Sequence, residues 1–215
     1  MPHIFIKYIG DFMKPYIGII ARKSISPKGH NLSIAYDDII SSIYKSGGIP
    51  IIIPQNIFDE YIELCKGFIF QGGDDIDFQN LKILKKLRDK NTPVLGICLG
   101  MQEIGVLYDG ILKNIPNHEE NTNHEIKIIN NSLLYKILKK EKIIVNSRHK
   151  SAIMFPKLKI SAISNDNIIE AIYDEKLTFF LGVEWHPENV YDEDVNSQKL
   201  FDYFIKICND KNISR

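Results

Sequence analysis

The chain has 215 residues, with 27 Lys and Arg set against 27 Asp and Glu, 44% hydrophobic and 25% charged residues. That length suits one globular domain spanning residues 1–215 with a sizeable core, and the balanced charge excludes a global electrostatic case for nucleic acid or an anionic membrane. No apolar run approaches the roughly 20 residues that span a bilayer, and no signal peptide is read in Met1 to Gly10. Cys65, Cys98 and Cys208 are too widely spaced for a disulfide framework or a zinc knuckle, so the expectation is a cytoplasmic protein with reduced thiols.

In chain order, short β-rich runs alternate with helical stretches. Tyr16 to Ala21 reads as a strand. Leu32, Ala35, Tyr36, Ile39, Ile40 and Ile43 recur at helical spacing, and Gly47-Gly48 stops that helix. Ile49 to Ile53 is a strand between prolines, Ile57 to Cys65 a short helix, and Gly67 to Phe70 a third strand running into Gln71-Gly72-Gly73. Leu81, Ile83, Leu84 and Leu87 mark a helix with a basic outer face. Pro93 to Ile97 is uninterrupted and apolar, as a buried central strand requires, and a helix follows to about Tyr108. Repeated βα units of this kind predict a parallel sheet with helices on both faces. The second half changes character. His124 to Ile129, Lys142 to Val145, Leu158 to Ile163, Ile168 to Tyr173 and Phe179 to Trp185 read as strands with few helices between, hence as hairpins added to the sheet. An amphipathic helix closes the chain on Leu200, Phe201, Phe204, Ile205 and Cys208.

The strongest chemical signal is Gly96-x-Cys98-x-Gly100 between a buried strand and a helix. It is a nucleophile elbow with cysteine in the serine position, and the positive end of the following helix favours thiolate there. A base is offered by Gly182-Val183-Glu184-Trp185-His186-Pro187-Glu188. His186 falls at the C-terminal end of a strand, where α/β sites collect. Glu188 is spaced to turn back onto the imidazole and fix its tautomer; Glu184 is the rival acid. Gly72 and Gly73 let backbone N–H groups face a cleft, where with the N–H of Leu99 they would form an oxyanion hole; a glycine turn capped by Asp75 is the alternative reading. Asn146-Ser147-Arg148-His149-Lys150 ends another strand and offers polar and basic groups for a carboxylate or phosphate. No G-x-G-x-x-G follows the first strand, which excludes a dinucleotide fold. His118 and His124, near Glu119, Glu120 and Glu125, fit neither a helix face nor H-E-x-x-H, so they read as surface loop and no metal site is expected.

These four runs, in this order, resemble the class I glutamine amidotransferases, and more closely their free-standing branch, the peptidase C26-like γ-glutamyl hydrolases. The likeness covers nearly the whole chain from Tyr16. It implies a flavodoxin-like α/β fold, mostly parallel, with antiparallel strands added in the second half. It also implies a Cys98–His186–Glu188 triad that passes through a γ-glutamyl thioester, with Gly73 and Leu99 holding the oxyanion. Gly72, Gln102, Asn146 and Ser147 would grip the glutamyl head group. The sequence departs from the family at Gln71, where proline is common, and at Lys150. Arg148, His149 and Lys150, with Arg22, Lys23 and His30, suggest a cationic rim suited to an anionic leaving group. The chain is similar in this to C26-like enzymes of bacterial capsule synthesis that release glutamate and cytidine diphosphoramidate from a γ-glutamyl nucleotide. The substrate implied is a small molecule; no cofactor, metal, nucleic acid or membrane is called for, and a homodimer is compatible with the reading.

Overall fold

The computed structural model describes residues 14–116, 118 and 122–210. Met1 to Gly10, Glu119 and Glu120 lie outside the described residues. A nine-stranded sheet runs through the structure. Five of its strands are parallel: β1 (Tyr16–Ile20), β4 (Ile49–Ile53), β5 (Gly67–Phe70), β6 (Val94–Ile97) and β13 (Phe180–Val183). The other four are antiparallel: β8 (Thr122–Ile128), β9 (Lys142–Ser147), β11 (Lys159–Ser164) and β12 (Ile169–Tyr173). The spatial order is β4-β1-β5-β6-β13-β12-β11-β8-β9. The second-half strands do extend the sheet as hairpins, but β13 is parallel to β6 and places its C-terminal end beside that of the elbow strand.

Both faces of the parallel strands are covered, which is why β5, β6 and β13 are buried at every residue. On one face lie α1 (Asp37–Lys45), α4 (Leu133–Leu138) and α5 (Val195–Cys208); their Ile39, Ile43, Leu134, Leu200, Phe201 and Phe204 form one core cluster. On the other lie α2 (Phe78–Asp89) and α3 (Leu99–Leu107), with Ile83, Leu84, Met101 and Ile104 in a second cluster. Asp77 caps α2 by accepting from Gln79 N–H, and Asp194 caps α5 by accepting from Asn196 and Ser197 N–H. Cys65 and Cys208 lie buried in this packing. Among the described residues no helix is long and apolar enough to cross a membrane.

Two local expectations are corrected, and some elements went unannounced. The helix expected from Leu32 begins only at Asp37. Upstream, β2 (Arg22–Ile25) and β3 (Asn31–Ile34) close an antiparallel hairpin through Gly29, whose φ is +79°. The apolar recurrence at Leu32 and Ala35 mimics a helix, but residues 31–34 are paired to 22–25 across the turn at Gly29. Ile57 to Cys65 is not an α-helix; a 3-10 segment covers Gln55–Glu60 and turns follow. A small second sheet, β7 (Ile111–Asn114) with β10 (Ser151–Met154), and the short α4 had no clear period to announce them.

Candidate active site

The site lies at the C-terminal ends of β5, β6 and β13. Cys98 joins β6 to α3 with φ 51° and ψ −109°, a strained conformation for a non-glycine residue. The turn is held by close packing. A Cβ on Gly96 would lie 2.6 Å from the Gly100 carbonyl, and one on Gly100 would collide with the Phe70 carbonyl at the end of β5. Cys98 N–H donates to Val183 O at 2.8 Å, tying the elbow to the end of β13.

From that same strand end the chain enters a 3-10 turn at Pro187–Val190, which swings Glu188 back onto the ring. His186 Nδ1 and Glu188 Oε1 are 2.8 Å apart, and both residues are nearly buried. His186 Nε2 takes no hydrogen bond among the described residues. Gly72 packs against both imidazole and thiol: a Cβ there would stand 2.9 Å from His186 Cε1 and 3.7 Å from Cys98 Cβ. Asn146, at the end of β9, holds the His186 backbone on both sides. Its Oδ1 accepts from His186 N–H at 2.8 Å, and its Nδ2 donates to His186 O at 2.9 Å.

Burial works against the expected thiolate. Burial pushes the Cys98 thiol far above its ordinary range, and the nearby Glu184 and Glu188 carboxylates add to this. The Leu99 N–H, directed at the sulfur, and the Arg148 charge act the other way. The dipole end of α3 is therefore outweighed by desolvation at a residue only 5% exposed. Glu184 faces the interior. Burial and neighbouring Glu170 hold its carboxyl well above the usual range, and it accepts from Gln102 Nε2 at 2.5 Å.

The remaining sequence candidates separate into two groups. Gln102 is buried, and its amide also donates to Ser151 O at 2.9 Å. Ser147 is fully buried and donates to His118 O at 3.0 Å; His149 is 3% exposed. Arg148 and Lys150, the alternate residues of the same extended run, point out, as a period of two requires. Arg148 Nη2 donates to Asn189 Oδ1, and Lys150 is exposed. Arg22 is not a rim residue. Its guanidinium lies against Gly73, where a Cβ would strike it, and 3.7 Å from buried Glu103. Lys23 sits 3.9 Å from Asp77, and His30 is exposed on the β2–β3 loop.

His118 and His124 are not surface-loop residues. His118 is 4% exposed and lies 3.2 Å from His149, and His124 Nε2 is 3.0 Å from fully buried Glu170 Oε1. Burial depresses the His149 pKa, while the Glu170 hydrogen bond raises that of His124. Glu170 went unread, though one signal was there: a lone carboxylate in the apolar run Ile168-Ile169-Glu170-Ala171-Ile172.

The family model for peptidase C26 matches residues 77–188, from the α2 cap to the turn that carries Glu188. The chain belongs to the peptidase C26 family. It is a hydrolase of the glutamine amidotransferase type. Among its relatives, the γ-glutamyl-γ-aminobutyrate hydrolase PuuD of Escherichia coli K12 is 25% identical, over 90% of this chain and 93% of that protein. One subunit of the glutamine-hydrolysing GMP synthase of Pyrococcus furiosus is 33% identical, over 66% of this chain and 76% of that one. The fold is also that of the glutaminase domain of Trypanosoma brucei CTPS, at a TM-score of 0.70 and 16% identity, over 90% of this chain and 93% of that one.

Proposed function

We propose that this C26 hydrolase cleaves a γ-glutamyl amide bond through Cys98 and releases L-glutamate. The observation that carries the reading is the 2.8 Å pairing of His186 Nδ1 with Glu188, which fixes the proton on Nδ1 and leaves Nε2 for the thiol, the imidazole and Cys98 both packed against Gly72. Burial favours the neutral thiol, so His186 takes the Sγ proton as the sulfur attacks the side-chain carbonyl carbon. The oxyanion is held by the N–H groups of Leu99 and Gly73. The C–N bond then breaks as His186 returns the proton to the leaving nitrogen. Water, deprotonated by His186, hydrolyses the thioester and regenerates the thiol.

The substrate favoured is a γ-glutamyl nucleotide phosphoramidate, γ-glutamyl-CDP-amidate, giving cytidine diphosphoramidate for capsular polysaccharide biosynthesis. What supports an anionic leaving group is Arg148, whose charge acts on Cys98, with exposed Lys150 on the same loop. A second reading, a γ-glutamyl-γ-aminobutyrate-type hydrolase, is favoured by the near full-length match to PuuD. A third, a glutaminase that feeds ammonia to a partner synthase, follows from the match to the GMP synthase of Pyrococcus furiosus.

The test is glutamate release by wild type and Cys98→Ala from the nucleotide phosphoramidate, γ-glutamyl-aminobutyrate and glutamine. Turnover of the nucleotide compound, lost in Cys98→Ala and weakened at the KM level by Arg148→Ala, is the expected result. Turnover of the aminobutyrate amide alone would reassign the substrate. No release from any of the three would sink the stand-alone hydrolase and leave the synthase-partner reading.

A further inference from the structure

Beneath the Asn146–Lys150 loop, three buried donor atoms converge. His118 Nδ1 and His149 Nε2 are 3.2 Å apart, and they lie 3.8 and 3.9 Å from Glu170 Oε1. All three residues are at most 4% exposed. Their outer hydrogen bonds determine where the ring protons sit. His118 Nε2 is 2.9 Å from the Asp166 carboxylate, and His149 Nδ1 is 3.0 Å from the Ser151 carbonyl. A carboxylate and a carbonyl only accept, so each of those nitrogens carries its ring's proton. The inward nitrogens of the neutral rings are therefore bare lone pairs, aimed at each other and at a carboxylate. Ser147 Oγ, 3.4 Å from His118 Nδ1, cannot relieve them, because its proton goes to His118 O at 3.0 Å.

Three electron-rich atoms facing one another in a buried space call for a positive charge between them. A shared proton would serve only the two rings. It would leave Glu170 Oε1 beyond hydrogen-bond reach of both, with His124 Nε2 as its one partner, and Glu170 Oε2 has no partner among the described residues. A metal ion engages all three donors. The point equidistant from atoms 3.2, 3.8 and 3.9 Å apart lies about 2.1 Å from each, which is the zinc–nitrogen and zinc–oxygen bond length. The outer ring is also present: Asp166 on His118, Ser151 O on His149, and His124 Nε2 on Glu170 Oε1 at 3.0 Å.

We propose that His118 Nδ1, His149 Nε2 and Glu170 Oε1 form a binding site for a divalent transition cation, zinc by its donor set, separate from the Cys98 centre. The ion clamps the segment before β8, the loop after β9 and strand β12 together. Its purpose is positional: His149 lies three residues from Asn146, whose side chain holds the His186 backbone.

The test uses the full chain carrying Cys98→Ala, so that the thiol, His186 and Glu188 cannot serve as a rival site. Chelator-treated protein is titrated with Co²⁺ and then Zn²⁺. The expected result is one equivalent of Co²⁺ with a four-coordinate visible spectrum and no thiolate charge-transfer band, displaced by Zn²⁺, with a raised melting temperature. Asp166→Asn changes a half-exposed outer group (56% side-chain exposure) and should leave folding intact while weakening binding by about tenfold. Glu170→Gln removes a ligand and should cost more than that. Absence of saturable uptake would overturn the proposal. So would unchanged affinity in both variants, or uptake that appears in wild type and vanishes in Cys98→Ala.

Discussion

Asn146 and His186, 40 residues apart in the chain, are joined by two hydrogen bonds at 2.8 and 2.9 Å that clamp the His186 peptide units from both sides. The clamp fixes where the imidazole starts, just as Glu188 fixes how it turns. Asn146→Ala should therefore lower kcat by about 10- to 100-fold through misplacement of the base, with KM changed less. Loss of the two bonds should cost about 1–3 kcal/mol of stability. Steady-state kinetics and denaturant unfolding on the same preparation check both; an unchanged kcat beside a destabilised fold would show the clamp to be structural only.

The buried Cys98 thiol should behave unlike an activated one. Burial pushes its pKa up and so favours the thiol over the thiolate. Alkylation by iodoacetamide at pH 7 should be slower than that of a free thiol, and it should keep rising into the alkaline range. A rate that levels off below pH 7 would mean a preformed thiolate, and a mechanism without proton transfer to His186 in the attack step.

Glu103, on α3, should impose a pH slope on stability. Burial raises its carboxyl to about 7, against an ordinary 4.5. Between those values the native state binds more protons than the unfolded chain, so stability falls as pH rises from 4.5 towards 7. The contribution is fully present below about 4.5, is lost through pH 7, and amounts to roughly 3 kcal/mol at full titration. Arg22, 3.7 Å away, already holds that value below what burial alone would give. Urea unfolding at pH 5 and 7.5 should show a flatter profile for Glu103→Gln than for wild type; identical profiles would contradict the assignment.

Gln71 stands where the family often has proline, and its amide makes three bonds. Nε2 donates to Ile20 O and Ile34 O at 2.9 Å each, and Oε1 accepts from Tyr36 N–H at 3.0 Å. It thus ties the end of β1, the β2–β3 hairpin and the start of α1 together beside the Gly72-Gly73 loop. Gln71→Ala should destabilise the protein by about 2–3 kcal/mol and open the 22–34 hairpin to limited proteolysis ahead of global unfolding. A hairpin as resistant as in wild type would show that its own β pairing suffices.

Legibility in the sequence followed the range of the interactions. The parallel strands and the closing helix were readable because burial on both faces of a strand, or on one stripe of a helix, is written in adjacent residues. The elbow was readable for the same reason: Gly96, Cys98 and Gly100 lie within five residues, and the close approach that demands glycine is local to the turn. Glu188 was a reachable choice over Glu184 because Pro187 turns the chain between His186 and Glu188. The β2–β3 hairpin was not legible because six apolar residues from Leu32 to Ile43 recur at helical spacing and the strand pairing across Gly29 is written in no local period.

What only the tertiary structure decided is which polar side chains face one another across the sheet. Glu170, His118 and His149 are 21 to 52 residues apart in sequence; the apolar run around Glu170 marks that carboxylate as buried, but nothing local says what it faces, and the antiparallel pairing of β12, β11, β8 and β9 makes the three neighbours. The same holds for the inward turn of Ser147 and His149 beside the outward Arg148 and Lys150, and for Arg22 leaving the rim for Glu103. The sequence by itself determined the elements and the order of the chemical runs, because those are set by short-range sterics and burial. The protonation of Cys98 and the pairing of the buried histidines were left to the fold, because desolvation and hydrogen-bond partners exist only once distant strands have packed.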